Sequence, residues 1–231
     1  YNDNAGSTAE QIPGCHRSKA AEVHIGGGVN SLNLACSGAR TATQTPTSGS
    51  DFKPGIDFYS DSSGRVGQAR ALQTFATSNR VKAVVLLIGA NNYHFADLVQ
   101  TCVTDWYLSP SWWPDYCRDD SDIAANFTAT NISAQTAAIK TAILNVNTAM
   151  TNAGYTSADW TLVLQTYSSP IPKGSGFRYS QSGYTRQTVG GCGMWNSDAD
   201  WANNTVVATL NSSVSNAGTA SGLTNLKVLD M

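Results

Sequence analysis

Charge is what this chain has least of. Lys, Arg, Asp and Glu together make up 13% of its 231 residues, about half the share of an ordinary globular protein. The net charge is −2, and Lys and Arg gather in no stripe, so the electrostatic footprint of a nucleic-acid partner is missing. Long apolar runs are missing too: the longest unbroken one, Ala83 to Ile88, is far too short to span a bilayer. No signal-peptide pattern opens the chain, which fits a mature or trimmed sequence. There is no CxxC, and the single His beside a Cys is His16 next to Cys15, so no zinc-ligand spacing exists and neither metal nor cofactor is expected. No GxGxxG or P-loop follows a candidate strand; "HIGGGVN" at His24–Asn30 precedes one and reads as a turn. A nucleotide-binding flavodoxin-like domain therefore lacks its phosphate cradle. No GxSxG elbow is present either, "KGSGF" at Lys173–Phe177 reading as a loop.

Ser, Thr, Asn and Ala fill the space that charge leaves, a neutral hydroxyl- and amide-rich composition frequent among secreted proteins. The five cysteines are Cys15, Cys36, Cys102, Cys117 and Cys192. Their spacing offers two local bridges, Cys15–Cys36 and Cys102–Cys117; the other reading is five free thiols in a reducing compartment. Under the first reading Cys192 is left over and needs a partner on another chain or beyond this sequence.

No repeat or linker-like run divides residues 1–231, which read as a single domain and a monomer. Strand and helix patterns alternate. Val29 to Ala35 predicts a strand, Val66 to Ser78 a helix with Ala69, Leu72, Phe75 and Ala76 at helical spacing, and Ala83 to Ile88 a buried strand. An irregular aromatic stretch follows. A helix is expected from Ser133 to Ala153, stopped by Gly154, then a strand from Trp160 to Tyr167, a helix from Asp198 to Ala217 and a strand from Leu226 to Met231. Near-continuous apolar strands separated by helices imply a parallel sheet covered on both faces, a three-layer α/β/α domain.

Ligands of such sheets bind beyond the carboxyl ends of the strands. Two of those ends are unusual: "NLACSGARTA", where Gly38 opens the loop, and "VVLLIGANNYHF", where Gly89, Asn91 and Asn92 follow Ile88. A glycine lets its N–H approach a ligand, and an Asn amide adds a second donor. Two convergent donors are what the tetrahedral intermediate of acyl transfer requires. Taken singly, Gly38 reads as a turn glycine and Asn91 as an amide tying two loops.

Four stretches in order, "CHRS" at Cys15–Ser18, "NLACSGA" at Asn33–Ala39, "IGANN" at Ile88–Asn92 and "DADWANN" at Asp198–Asn204, carry a resemblance to the SGNH (GDSL-type) hydrolases, in their secreted bacterial branch of lipases and esterases. The resemblance implies a flavodoxin-like SGNH fold, an extracellular location and hydrolysis of a small-molecule or lipid ester through a serine acyl-enzyme. It implies that Gly38 and Asn91 are the oxyanion donors, while Asn92 stands where the family has Asp. The family's Gly-Asp-Ser nucleophile motif and its Asp-x-x-His do not occur. The sequence therefore reads as clipped at both ends, with the partner of Cys192 expected just after the missing His.

Internal substitutes are weak. Ser37 reads as a loop hydroxyl, His94 as structural, and His16 and His24 complete no triad. "DWYLSPSWWPDYC" at Asp105–Cys117 gathers rings that either receive an acyl chain and touch a lipid surface transiently, or form a satellite core. Trp112, Trp113 and Tyr179 are the candidate substrate contacts. A glycan- or lipid-binding module without turnover is the alternative reading.

Overall fold

The computed structural model describes residues 10–47, 51–190 and 192–231. Its spine is a parallel sheet of three strands, β1 (Ala83–Leu86), β2 (Thr161–Gln165) and β3 (Leu226–Leu229), in the order β1-β2-β3. Val84 pairs with Leu162, and Leu162 in turn with Leu226. The connections are helical, as parallel neighbours require. They comprise α1 (Gln68–Ser78) ahead of β1, then α2 (Phe95–Leu108), α3 (Ser121–Asn126) and α4 (Ala129–Asn152) between β1 and β2. After β2 come a short α5 (Thr185–Thr188), then α6 (Asn196–Trp201), a π-helical turn (Ala202–Val207) and α7 (Ala208–Ser221), the last three continuous.

Alternation along the strands decides where the core lies. Leu86, Leu162 and Leu164 point to one face and are buried against Leu72 of α1, Ile139, Ile143, Val146 and Met150 of α4, and Val214 and Ala217 of α7. Those helix positions recur at three- and four-residue spacing, which puts one apolar stripe on each helix. On the opposite face Val85 and Leu87 keep 44% and 47% of their surface exposed, so among the described residues the helices cover one side of the sheet. Among the described residues no helix is long and apolar enough to cross a membrane.

A second core gathers Leu98 and Cys102 of α2, Tyr93, Ile123, Met194, Ala199, Val206 and Leu210 around the Cys102–Cys117 disulfide. The other bridge, Cys15–Cys36, centres a small cluster with Ala39 and Ile12. Both expected pairings are formed and Cys192 is a free, exposed thiol. The long segment before α6 folds around Arg186. Its guanidinium is buried over the Phe177 ring at 3.9 Å and donates to the carbonyls of Tyr179 and Met194 and to Asn196 Oδ1.

Two expectations are corrected. Val29 to Ala35 is irregular: the buried Arg17 side chain donates to the carbonyls of Leu34 and Ala35 at 3.0 and 2.9 Å, occupying acceptors that a strand ladder would need. The aromatic stretch taken as irregular contains α2, whose Leu98, Cys102 and Trp106 form a buried stripe. The remaining elements sit within a few residues of expectation. The long central helix starts earlier because Thr128 caps it, accepting from the Asn131 N–H.

The Cys102–Cys117 bridge closes a separation of 15 residues, and replacing both cysteines by Ala is expected to lower stability by roughly 3 kcal/mol. Urea unfolding followed by circular dichroism measures this, and the same change should loosen α2 before the main sheet.

Candidate functional site

β1 does not end in a plain turn. Gly89 takes φ +129°, a conformation L side chains rarely adopt, and a Cβ there would come within 2.9 Å of Ile139 Cδ1. The chain then makes one 3-10 turn, Ala90–Tyr93, and passes through His94 in the left-handed region before entering α2. The turn is held from below by Tyr167, just beyond β2, whose hydroxyl accepts from the Ala90 N–H at 3.1 Å. Burial pushes that hydroxyl up to about 12, so it stays neutral. Asn211 of α7 fixes Tyr167 in turn, accepting from its N–H at 2.8 Å and donating to its carbonyl at 2.9 Å.

The two asparagines face the loop of residues 38–41. Asn91 Nδ2 donates to the Ala39 carbonyl at 2.9 Å. Asn92 Oδ1 accepts from the Thr41 N–H at 3.1 Å, while its Nδ2 donates to Thr41 Oγ1 at 2.8 Å and Gln135 Oε1 at 3.0 Å. The loops after Cys36 and after β1 are therefore joined. Gly38, at φ +78°, sits next to the Asn91 acceptor; it is exposed and its N–H meets no acceptor among the described residues. One proton of the Asn91 amide is used on Ala39, and the second has no protein acceptor among the described residues. Gly38 precedes no helix and follows no strand, so it is the side-chain ties, rather than a strand end, that set its position.

Beside this junction Nδ1 of His94 lies 3.3 Å from Arg40 Nη2 and 3.1 Å from Asp97 Oδ2, a group that sequence reasoning did not assemble. Ser37 is exposed and its hydroxyl has no partner among the described residues, its N–H donating to the Cys15 carbonyl. His94 hydrogen-bonds to no serine among the described residues. Trp112 and Trp113 are 81% and 73% exposed in the turn that follows α2. Tyr179 is half-buried beneath Arg178. None of the three lines the large cavity, of about 610 Å³, that opens between α2, residues 169–171 and the π-helical turn. Of the aromatic stretch, Trp106 is buried, its ring against Gly193 and its Nε1 on the Gln181 carbonyl, while Trp112 and Trp113 stand exposed. Asn126, Asn131, Asn203 and Asn211, each two residues before a Ser or Thr as glycosylation acceptors are, all turn their side-chain amides onto backbone carbonyls.

Compared with protein-family models, curated proteins and solved structures, the chain matches none of them.

Two carboxyls lie in the satellite core. Asp198 is fully buried; one oxygen accepts from the Cys117 N–H and the other has no donor among the described residues. Burial pushes its carboxyl up to about 6, with nearby Asp105 adding to the rise against the opposing pull of the Cys117 and Arg118 N–H groups. Asp105 is likewise pushed up to about 6, by burial and then by Asp120 and Asp115. Cys102, Cys117 and Asp198 lie close enough to hold an ion, but both sulfurs are spent in the disulfide, which leaves one carboxylate as ligand. A carboxyl raised in the folded state favours folding when protonated, so its penalty is absent below about pH 4, grows as pH rises and is complete above about pH 6. Asp198→Asn is expected to raise stability at pH 8 by about 3 kcal/mol and to leave it nearly unchanged at pH 4. Thermal melting across that range tests it; a variant equally or less stable at pH 8 overturns the assignment.

Proposed function

We propose that this chain belongs to an extracellular serine ester hydrolase of the SGNH type and contributes its oxyanion hole. The carrying observation is the Asn91 amide on the Ala39 carbonyl, which holds an asparagine donor beside the free N–H of Gly38. In this reading a serine supplied from outside these 231 residues attacks the ester carbonyl. The negative charge that develops is met by Gly38 N–H and by the second proton of the Asn91 amide. Water then hydrolyses the acyl-enzyme, with a histidine base that is also not among these residues. Asn92 serves the loop in place of an aspartate because an amide both accepts from Thr41 and donates to Gln135.

The same reading makes the sheet the centre of a three-layer α/β/α domain. Val85, Leu87 and Leu229 leave an apolar outer face half exposed, and parallel sheets are ordinarily covered on both sides. Two disulfides favour an oxidising compartment, hence secretion. A binding module without turnover is the second reading, favoured by the missing internal nucleophile–base pair and by the exposure of Trp112 and Trp113.

Assay of the complete gene product on p-nitrophenyl esters separates the two. Asn91→Ala should lower kcat by about 100- to 1,000-fold with the fold intact by circular dichroism. A folded, complete protein with no turnover, or turnover indifferent to Asn91→Ala, would sink the esterase assignment.

A further inference from the structure

The cavity beside α2 has a chemistry of its own. Phe95, Leu98, Val99 and Val103 form one wall, and Ile171 and Val206 face them; no charged side chain lines it. Three polar groups in the wall are already engaged within the protein, while the Gln187 amide, the Tyr107 hydroxyl and the Cys192 thiol also line it. Thr104 Oγ1 donates to the Gln100 carbonyl at 2.8 Å, Ser169 Oγ to the Ile171 carbonyl at 2.9 Å, and Trp106 Nε1 to the Gln181 carbonyl at 3.2 Å. A sugar, phosphate or peptide would exchange its hydration for few hydrogen bonds in a lining this apolar, whereas an apolar ligand loses nothing.

The walls are also held apart. Ala202, Val206 and Val207 come from the π-helical turn that interrupts the α6–α7 run, and such widened turns are frequent at functional sites. Within it Asn203 Nδ2 donates to the Ala199 carbonyl at 2.9 Å and reaches the Pro172 carbonyl at 3.3 Å, which fixes the π turn against the segment carrying Ile171. The mouth is apolar too: Val103, Tyr107 and Leu108 line it and are exposed.

We infer that this cavity binds a single unbranched aliphatic chain, entering past Val103, Tyr107 and Leu108. At roughly 30 Å³ for each methylene, about the share of a water molecule, about 610 Å³ corresponds to roughly 20 carbons at most, so a chain of roughly 12 fits with room for imperfect packing. The inference deepens the esterase reading by naming a long-chain acyl group, and rests on that reading for the catalytic use of the chain alone.

The test is isothermal titration of the complete protein with sodium butyrate, octanoate and dodecanoate, each below its micelle concentration. Dodecanoate is expected to bind one to one, butyrate not to bind, and affinity to climb roughly tenfold for every two carbons added. Val103→Trp, at the exposed mouth, should weaken dodecanoate at least tenfold, and Val206→Phe should do so from the inner wall. Thr141→Trp, exposed on α4, should change nothing, and thermal melting establishes that each variant is folded. Absence of saturable dodecanoate binding, affinity independent of chain length, or equal binding by the folded Val103→Trp and Thr141→Trp proteins would overturn the inference. Binding without ester turnover removes the esterase and leaves the site; turnover without chain-length preference removes the site and leaves the esterase.

Discussion

Amide side chains reaching across sequence tie the described part of the first third, residues 10–47 and 51–66, to the rest of the fold. Those residues form no helix and no strand of the main sheet; they are pinned by Asn91 on Ala39, Asn92 on Thr41 and Asn145 on the Ile56 carbonyl. Inside that segment Asp57 accepts from Thr43 N–H, Thr43 Oγ1 and Tyr59 N–H, and Arg17 takes two carbonyls. A single hydrogen bond of this kind contributes only about 1 kcal/mol net, but leaving its buried partner unmade costs more. The composition follows from this requirement. A chain that replaces ladders by side-chain ties needs amides and hydroxyls, which bridge neutral backbone groups without the desolvation cost of a charge.

That is also why sequence pattern failed where it did. The stripes of α1 and α4 are periodic and buried as expected, because hydrophobic periodicity records one neighbour, the core. The apolar run of β1 forms its strand but buries only Leu86 and Ile88 against that core, Val85 and Leu87 staying exposed on the other face. Val29 to Ala35 alternates like a strand, yet Val29 and Leu32 are exposed and no strand pairs with it; alternation says nothing about who supplies the ladder. The helix α2 was hidden by aromatic and β-branched residues of modest helix propensity, which packing around the disulfide overrides. The cysteine pairs were legible from local spacing. The asparagine pair stood out because amides are costly at the end of a buried strand, but their targets, Ala39 and Thr41, lie about fifty residues away and leave no local trace.

The satellite core shows the opposite economy. Asp198 and Asp105 enter an apolar region around the second disulfide with oxygens that find no donor among the described residues, in a chain that otherwise avoids charge. The neighbouring backbone explains part of it: the Cys117 N–H, in the short 3-10 turn at Cys117–Asp119, needs an acceptor, and Asp198 provides one. One satisfied N–H does not balance a carboxylate held with another nearby, which is why both groups retain protons to unusually high pH. The disulfide supplies the covalent constraint that lets such a pair persist.

The cavity and the asparagine turn are mechanically one unit. His94, in a left-handed conformation, is the residue by which the turn hands over to α2, and its carbonyl accepts from Leu98, a residue of the cavity wall. Tyr167, which anchors Ala90, lies just before the Ser169–Ile171 wall and is locked by Asn211 of α7, while the opposing wall is the π turn at the start of that same helical run. Gly89 and His94, the two residues here held at positive φ, are where the asparagine turn leaves β1 and enters α2. Those conformations are costly to redistribute and densely packed interiors deform in discrete steps rather than continuously. On the proposed reading, a chain bound in the cavity and a charge met at Asn91 would both adjoin the single turn, Ala90–Tyr93, that leads into α2.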